Sequence, residues 1–165
     1  MEQEFIRNLQ KQWQAVKASA SLECEAKNLP NLAQAYRDCR MFKGDENVEQ
    51  MAKLLTSVRG SEFCLRYSFP NIATLRRFKP EHPEKYGVYI DGGSVYLKNP
   101  SQTPILFAGR VAATIEISDN SKRYEIILMA GAKAVINARN WAVVSVRAGQ
   151  GCTYIKNATE NAIIL

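Results

Sequence analysis

GVYIDGGSVYLKNPSQT (residues 87–103), PILFAGRVAATIEISDNSKR (104–123), YEIILMAGAKAVINARNW (124–141) and AVVSVRAGQGCTYIKNATE (142–160) are four versions of one pattern, and NAIIL (161–165) begins a fifth. Each full version holds an apolar run, a glycine turn, a second apolar run and a polar turn that usually contains asparagine. Glycine takes positive φ without steric cost, and asparagine tolerates the left-handed region better than most residues. Alternation within the runs predicts that Val88, Ile90, Val95, Leu97, Ala113, Ile115, Ile117, Val144 and Val146 point inward. Tyr89, Ser94, Tyr96, Thr114, Glu116, Ser145 and Arg147 are then expected outside. Ile126-Ile127-Leu128-Met129 is apolar on both faces and breaks the alternation.

Short strands at this spacing also suit meandering hairpins or a jelly roll. Whole units resemble one another, however, AGAKAVINARN and AGQGCTYIKNATEN above all. Stacked repeats bury a continuous core because like positions lie above like. The expectation is an α+β fold: N-terminal helices packed with a C-terminal short β-solenoid of about four two-strand coils and mostly parallel stacking. The segment Ala162–Leu165 should be a strand paired to the coil before it. Its open edge should be covered by a helix from residues 1–60 or by a second subunit, since unpaired edge groups invite pairing.

Working toward the N-terminus, Lys79-Pro80-Glu81-His82-Pro83-Glu84 reads as a connector, because two prolines interrupt any helix. Ahead of it lies a helical region, residues 1–80. Phe5, Leu9, Trp13 and Val16 make one amphipathic stripe. Val48, Met51, Leu54, Leu55 and Val58 make another, preceded by cap-like Asp45-Glu46-Asn47 and ended by Gly60. Two segments forty residues apart share the form C-x4-[LF]-P-N-[LI]-A: Cys24–Arg37 and Cys64–Arg77. Each reads as a helix, a short turn and a second helix opened by proline, which suits the first helical position.

The second copy, with its turn Ser68-Phe69-Pro70 and its basic helix Asn71–Phe78, resembles the helix-turn-helix regions of some phage and mobile-element proteins. That resemblance covers barely twenty residues and lacks the usual turn glycine. It implies a recognition helix, with Arg66, Arg76, Arg77 and Lys79 as the nucleic-acid-binding residues that meet phosphates. Arg59 to Lys79 holds five basic residues against Glu62 alone. The plainer reading is a helical hairpin against the β-structure with its arginines solvated.

Composition narrows the function classes. A net charge of +6 falls evenly on the two halves: 14 Lys/Arg against 11 Asp/Glu in residues 1–86, and 8 against 5 in 87–165. Neither half is basic enough to announce a nucleic-acid binder. No apolar stretch is long enough to cross a membrane, and the polar N-terminus lacks a signal-peptide core, so a cytoplasmic location is expected. Cys24, Cys39, Cys64 and Cys152 form no CxxC pair, and His82 is the only histidine, so reduced structural thiols and no metal or cofactor are expected. The acids Asp91, Glu116, Asp119, Glu125 and Glu160 do not align as a glycosidase pair, and nucleophile chemistry lacks a histidine base. The chain is therefore expected to be non-enzymatic, a structural or protein-interaction module with a protein partner or self-association. Nucleic acid is the alternative partner.

Overall fold

The computed structural model describes residues 3–165. The chain divides into two compact units, one ending at Leu54 and one running Leu55–Leu165.

In the first unit, α1 (Gln3–Ala26) and α2 (Pro30–Asp38) form a helical hairpin. Pro30 opens α2 at its first position, as the repeat predicts, and Asn28 makes the turn at φ +55°. The buried face of α1 runs through Phe5, Leu9 and Trp13, but its next place is Lys17 rather than Val16, which is half-buried. Lys17 is tolerated there because its polar end is satisfied: Nζ donates to the Cys39 carbonyl at 2.7 Å and lies 4.3 Å from the Trp13 ring centre. Burial and the nearby Arg40 lower its pKa. Asn47 and Gln50 cap the next helix, α3 (Val48–Thr56), reciprocally at 2.9 Å.

In the second unit, α4 (Val58–Tyr67) follows at once. Ser57 is its cap, accepting from the Gly60 N–H at 3.1 Å, so Gly60 sits in the first turn of α4 and does not end α3. A serine cap outweighs one glycine, because it satisfies a donor that the helix start would otherwise leave open. Then comes α5, only Ile72–Arg76. Here the repeat misleads: Pro70 lies before the helix, and Asn71 caps it by accepting from Thr74 N at 2.9 Å. Two 3-10 turns, Lys79–Glu81 and Pro83–Tyr86, carry the connector.

The solenoid has nine strands: β1 (Val88–Ile90), β2 (Gly93–Lys98), β3 (Ile105–Ala108), β4 (Val111–Ile117), β5 (Arg123–Met129), β6 (Lys133–Ala138), β7 (Val143–Ala148), β8 (Thr153–Ala158) and β9 (Ile163–Ile164). Odd strands stack as one sheet, β1-β3-β5-β7-β9, and even strands as another, β2-β4-β6-β8. Every pairing is parallel. This is an α+β fold whose β-part is a solenoid of four two-strand coils.

Like positions do lie above like. In the even sheet the inward columns are Val95–Ala113–Ala134–Tyr154 and Leu97–Ile115–Ile136–Lys156. In the odd sheet Phe107, Leu128 and Ala148 share a column, and Ile105, Ile126 and Val146 share the next. The inward set is as expected except in β1. Tyr89 stands in register with Phe107 and stacks on it at 5.2 Å, so Tyr89 points inward and Val88 and Ile90 outward. Alternation could not reveal this, because the outer face of the odd sheet is itself buried: Val88, Ile90, Leu106, Ala108, Ile127 and Met129 are all covered. The start of α4 meets this face at Arg147, which is in register with Ile127 and whose guanidinium donates to the Val58 carbonyl at 3.5 Å. The both-faced apolar run of β5 has the same cause.

The last strand is ordered, as expected. Ile163 and Ile164 pair with Val143 and Val144, and Leu165 N donates to the Val144 carbonyl at 2.8 Å. In the single chain Ile163 and Leu165 are 52% and 57% exposed. The last coil also carries a charge on the inside. Lys156 takes the place that Leu97, Ile115 and Ile136 hold below it, and an inward charge blunts an open edge.

Candidate functional site

The glycine corner of the solenoid is where α5 meets the coils. Asp91 turns the first corner at φ +47°, and its carboxylate, only 7% exposed, is held by Arg76 and Arg110. It accepts from Arg76 Nε at 2.5 Å and from the Arg110 backbone N–H at 2.8 Å, and the Arg110 Nε lies at 4.0 Å. The bond from Arg76, then that from Arg110, holds its pKa down at about 2. Gly109, at φ +75°, makes the arrangement possible. A Cβ there would collide with the Asp91 carboxylate and come within 2.7 Å of Ile72 Cδ1.

Beside this joint lies an open groove of about 480 Å³. Ile72 and Arg76 of α5 form one wall, and Arg110, Ala112, Gly131 and Lys133 from successive coil turns form the other. Nothing stands over Gly93 or Gly131, so the turns present a bare backbone ledge. Three cations border the space. Asp91 pairs with Arg76 and lies 4.0 Å from the 86% exposed Arg110, and Lys133 is exposed with no ion-pair partner among the described residues.

The four basic residues singled out from the sequence are not equivalent. Arg66, exposed on α4, lies 5.6 Å from the Tyr67 ring centre. Arg76 is half committed to Asp91. Arg77 ends α5 as its cap residue, and Lys79 opens the first 3-10 turn, both exposed. At five residues α5 is about 7.5 Å long. Only Arg76 of the four lines the groove. Arg110 and Lys133 escaped the sequence reading, although each follows its turn glycine by one or two places in successive coils.

The second surface of note is the outer face of the even sheet. Its middle column is Tyr96–Thr114–Val135–Ile155, with Tyr96 63% and Ile155 59% exposed. Beside it runs Lys98–Glu116–Asn137–Asn157, where Asn157 donates to Asn137 at 2.8 Å and Asn137 to Glu116 at 3.1 Å.

Among the described residues no group of three His, Cys, Asp or Glu side chains could hold a metal, and no helix is long and apolar enough to cross a membrane. The four cysteines are unpaired; Cys64 is buried, and burial pushes its pKa up to about 12, away from reactivity. No protein-family model, curated protein or solved structure matches the chain.

Proposed function

We propose that the protein is a non-catalytic interaction module, a helix-covered β-solenoid whose free sheet contacts a second copy of the chain. The observation that carries this is the asymmetry of the two outer faces: apolar and covered on the odd sheet, partly apolar and bare on the even one. The bare face also has the mixed signs that an isologous contact uses, Lys98 beside Glu116 next to a neutral column. Four strands of six residues span about 400 Å² at ordinary strand spacing and rise. That is about half of what a stable interface buries per partner, so the association is weak and concentration-dependent.

Light scattering of the full chain, from micromolar to millimolar concentration, tests the proposal. We expect a rise in mass that Val135→Arg removes without changing the far-ultraviolet circular dichroism. A wild-type chain that stays monomeric throughout, or a Val135→Arg variant that associates equally, overturns it.

A second reading, nucleic-acid association through Arg66, Arg76, Arg77 and Lys79, is supported by charge. Counted over the two compact units rather than two halves, the segment ending at Leu54 has eight Lys/Arg and eight Asp/Glu. Leu55–Leu165 has 14 against eight, so the whole net charge of +6 lies with the second unit, shared equally between its helical part and the solenoid.

A further inference from the structure

We infer that the groove between α5 and the glycine corners is a phosphate-binding site, built from Arg110, Lys133 and the free side of Arg76. The inference rests on the second reading for its macromolecular ligand, but it places the contact on the solenoid corner and not on a recognition helix. Three observations converge. First, cations from three separate segments, α5, the turn before β4 and the start of β6, border one open space of about 480 Å³. Their convergence comes from the stacking register, in which Lys133 stands beside Ala112, two residues beyond Arg110. Second, Asp91, the only acid at the joint among the described residues, has a buried carboxylate that is already engaged; it fixes Arg76 and the Arg110 backbone, and the Arg110 side chain, 4.0 Å from it at Nε, is still 86% exposed, as Lys133 is exposed. Third, the floor is glycine backbone with nothing over Gly93 or Gly131, so a bulky tetrahedral anion can approach without displacing side chains.

The ligand chemistry follows. Arginine offers paired donors to phosphate oxygens, and lysine adds a mobile point charge. The groove has no opposing carboxylate to recognise a cation or a peptide amine, and its apolar wall is only Ile72, Val111 and two alanines. A phosphate group can come from a nucleic-acid strand or from a small phosphate, and the two differ in the test.

The test is fluorescence anisotropy of a labelled single-stranded oligonucleotide at low salt with the full chain. Three proteins are compared: wild type, Arg110→Ala/Lys133→Ala, and Arg77→Ala/Lys79→Ala. We expect the groove variant to bind at least about tenfold more weakly and the helix variant to bind nearly as wild type. Removing two phosphate contacts should also flatten the slope of log affinity against log salt by about 1.4. If the groove variant binds as wild type, the groove is overturned while nucleic-acid association stands. If no oligonucleotide binds but inorganic pyrophosphate shifts the amide resonances of Gly131 and Lys133, the site takes small phosphates and the nucleic-acid reading falls. Oligoglutamate displacing the oligonucleotide at equal charge overturns the assignment to phosphate. Absence of binding by both probes overturns both readings.

Discussion

The two sheets of the solenoid share one core and one coil period, yet their outer faces have opposite fates. Ile127 on β5 and Val135 on β6 belong to the same coil, and both are β-branched residues pointing away from the core. Ile127 is fully buried, whereas Val135 is half-buried. The difference lies in what the same unit supplies from elsewhere, since α4 reaches the odd sheet through Arg147 and leaves the even one bare. A parallel sheet buried on both faces reads as an unbroken apolar run, and one with a free face reads as alternation. β5 and β4 show the two signatures side by side: RYEIILM against VAATIEI.

The largest expected effect sets these two positions against each other. Ile127→Ala removes a methylene and two methyl groups from a closed interior, so it should cost about 2–5 kcal/mol, with a cavity contribution beyond simple transfer. Val135→Ala should cost less than about 1 kcal/mol, as expected at a partly exposed site. Chemical denaturation of both variants, followed by circular dichroism at a strand wavelength, measures the gap. Equal losses would break the comparison and mean that the even sheet's outer face is covered in solution.

The same contrast explains what the sequence could show. The coils, their number and the inward columns of the even sheet were legible, since that sheet keeps a wet face and therefore alternates. Tyr89 was misassigned because Val88 and Ile90, though outward, are buried as deeply as core residues. α5 was read too long: the apolar spacing of Ile72, Leu75 and Phe78 continues, but the backbone passes into a 3-10 turn at Lys79-Pro80. The groove was hidden for a different reason. Arg110 and Lys133 are 23 positions apart, and only the register that sets Ala112 beside Lys133 brings them to one corner.

An intermediate effect is expected where α5 is pinned to the solenoid. Asp91 has its folded pKa depressed from 3.8 to about 2, so its contribution to stability is fully present above about pH 4 and is lost as pH falls through 2. Asp91→Asn should lower stability at neutral pH by about 1–2 kcal/mol, the scale of hydrogen bonds to a charged group. The variant should also lose part of the acid-side slope. Asp119, held near pKa 2 by Ser121 and by the Tyr124 hydroxyl, titrates in the same window, so the quantity to measure is the difference between wild type and variant. A difference that stays constant from pH 6 to pH 2 would mean that the Arg76 pairing contributes nothing and that apolar packing, chiefly of the buried Leu75, docks α5.

The smallest effect on stability, and the sharpest on behaviour, belongs to the last coil. Here the distinction between inside and outside fails altogether: every residue of β8 is exposed, including inward Tyr154 and Lys156. Lys156 folds over the open end, its Nζ 3.4 Å from the Ile164 carbonyl and 5.6 Å from the Tyr154 ring centre. Any strand that stacked on β8 would have to bury that ammonium between itself and Ile136, at a cost of several kcal/mol. Lys156→Ile restores the Leu97–Ile115–Ile136 column and removes this barrier. Its stability should change by no more than about 0.5 kcal/mol, since the site is exposed. Its association should nonetheless rise steeply with concentration, and it should persist when Val135→Arg is added, because end-to-end pairing does not use the even sheet's face. Sedimentation velocity on the double variant separates the two surfaces. If Lys156→Ile associates no more than wild type, the open end is protected by something other than this charge.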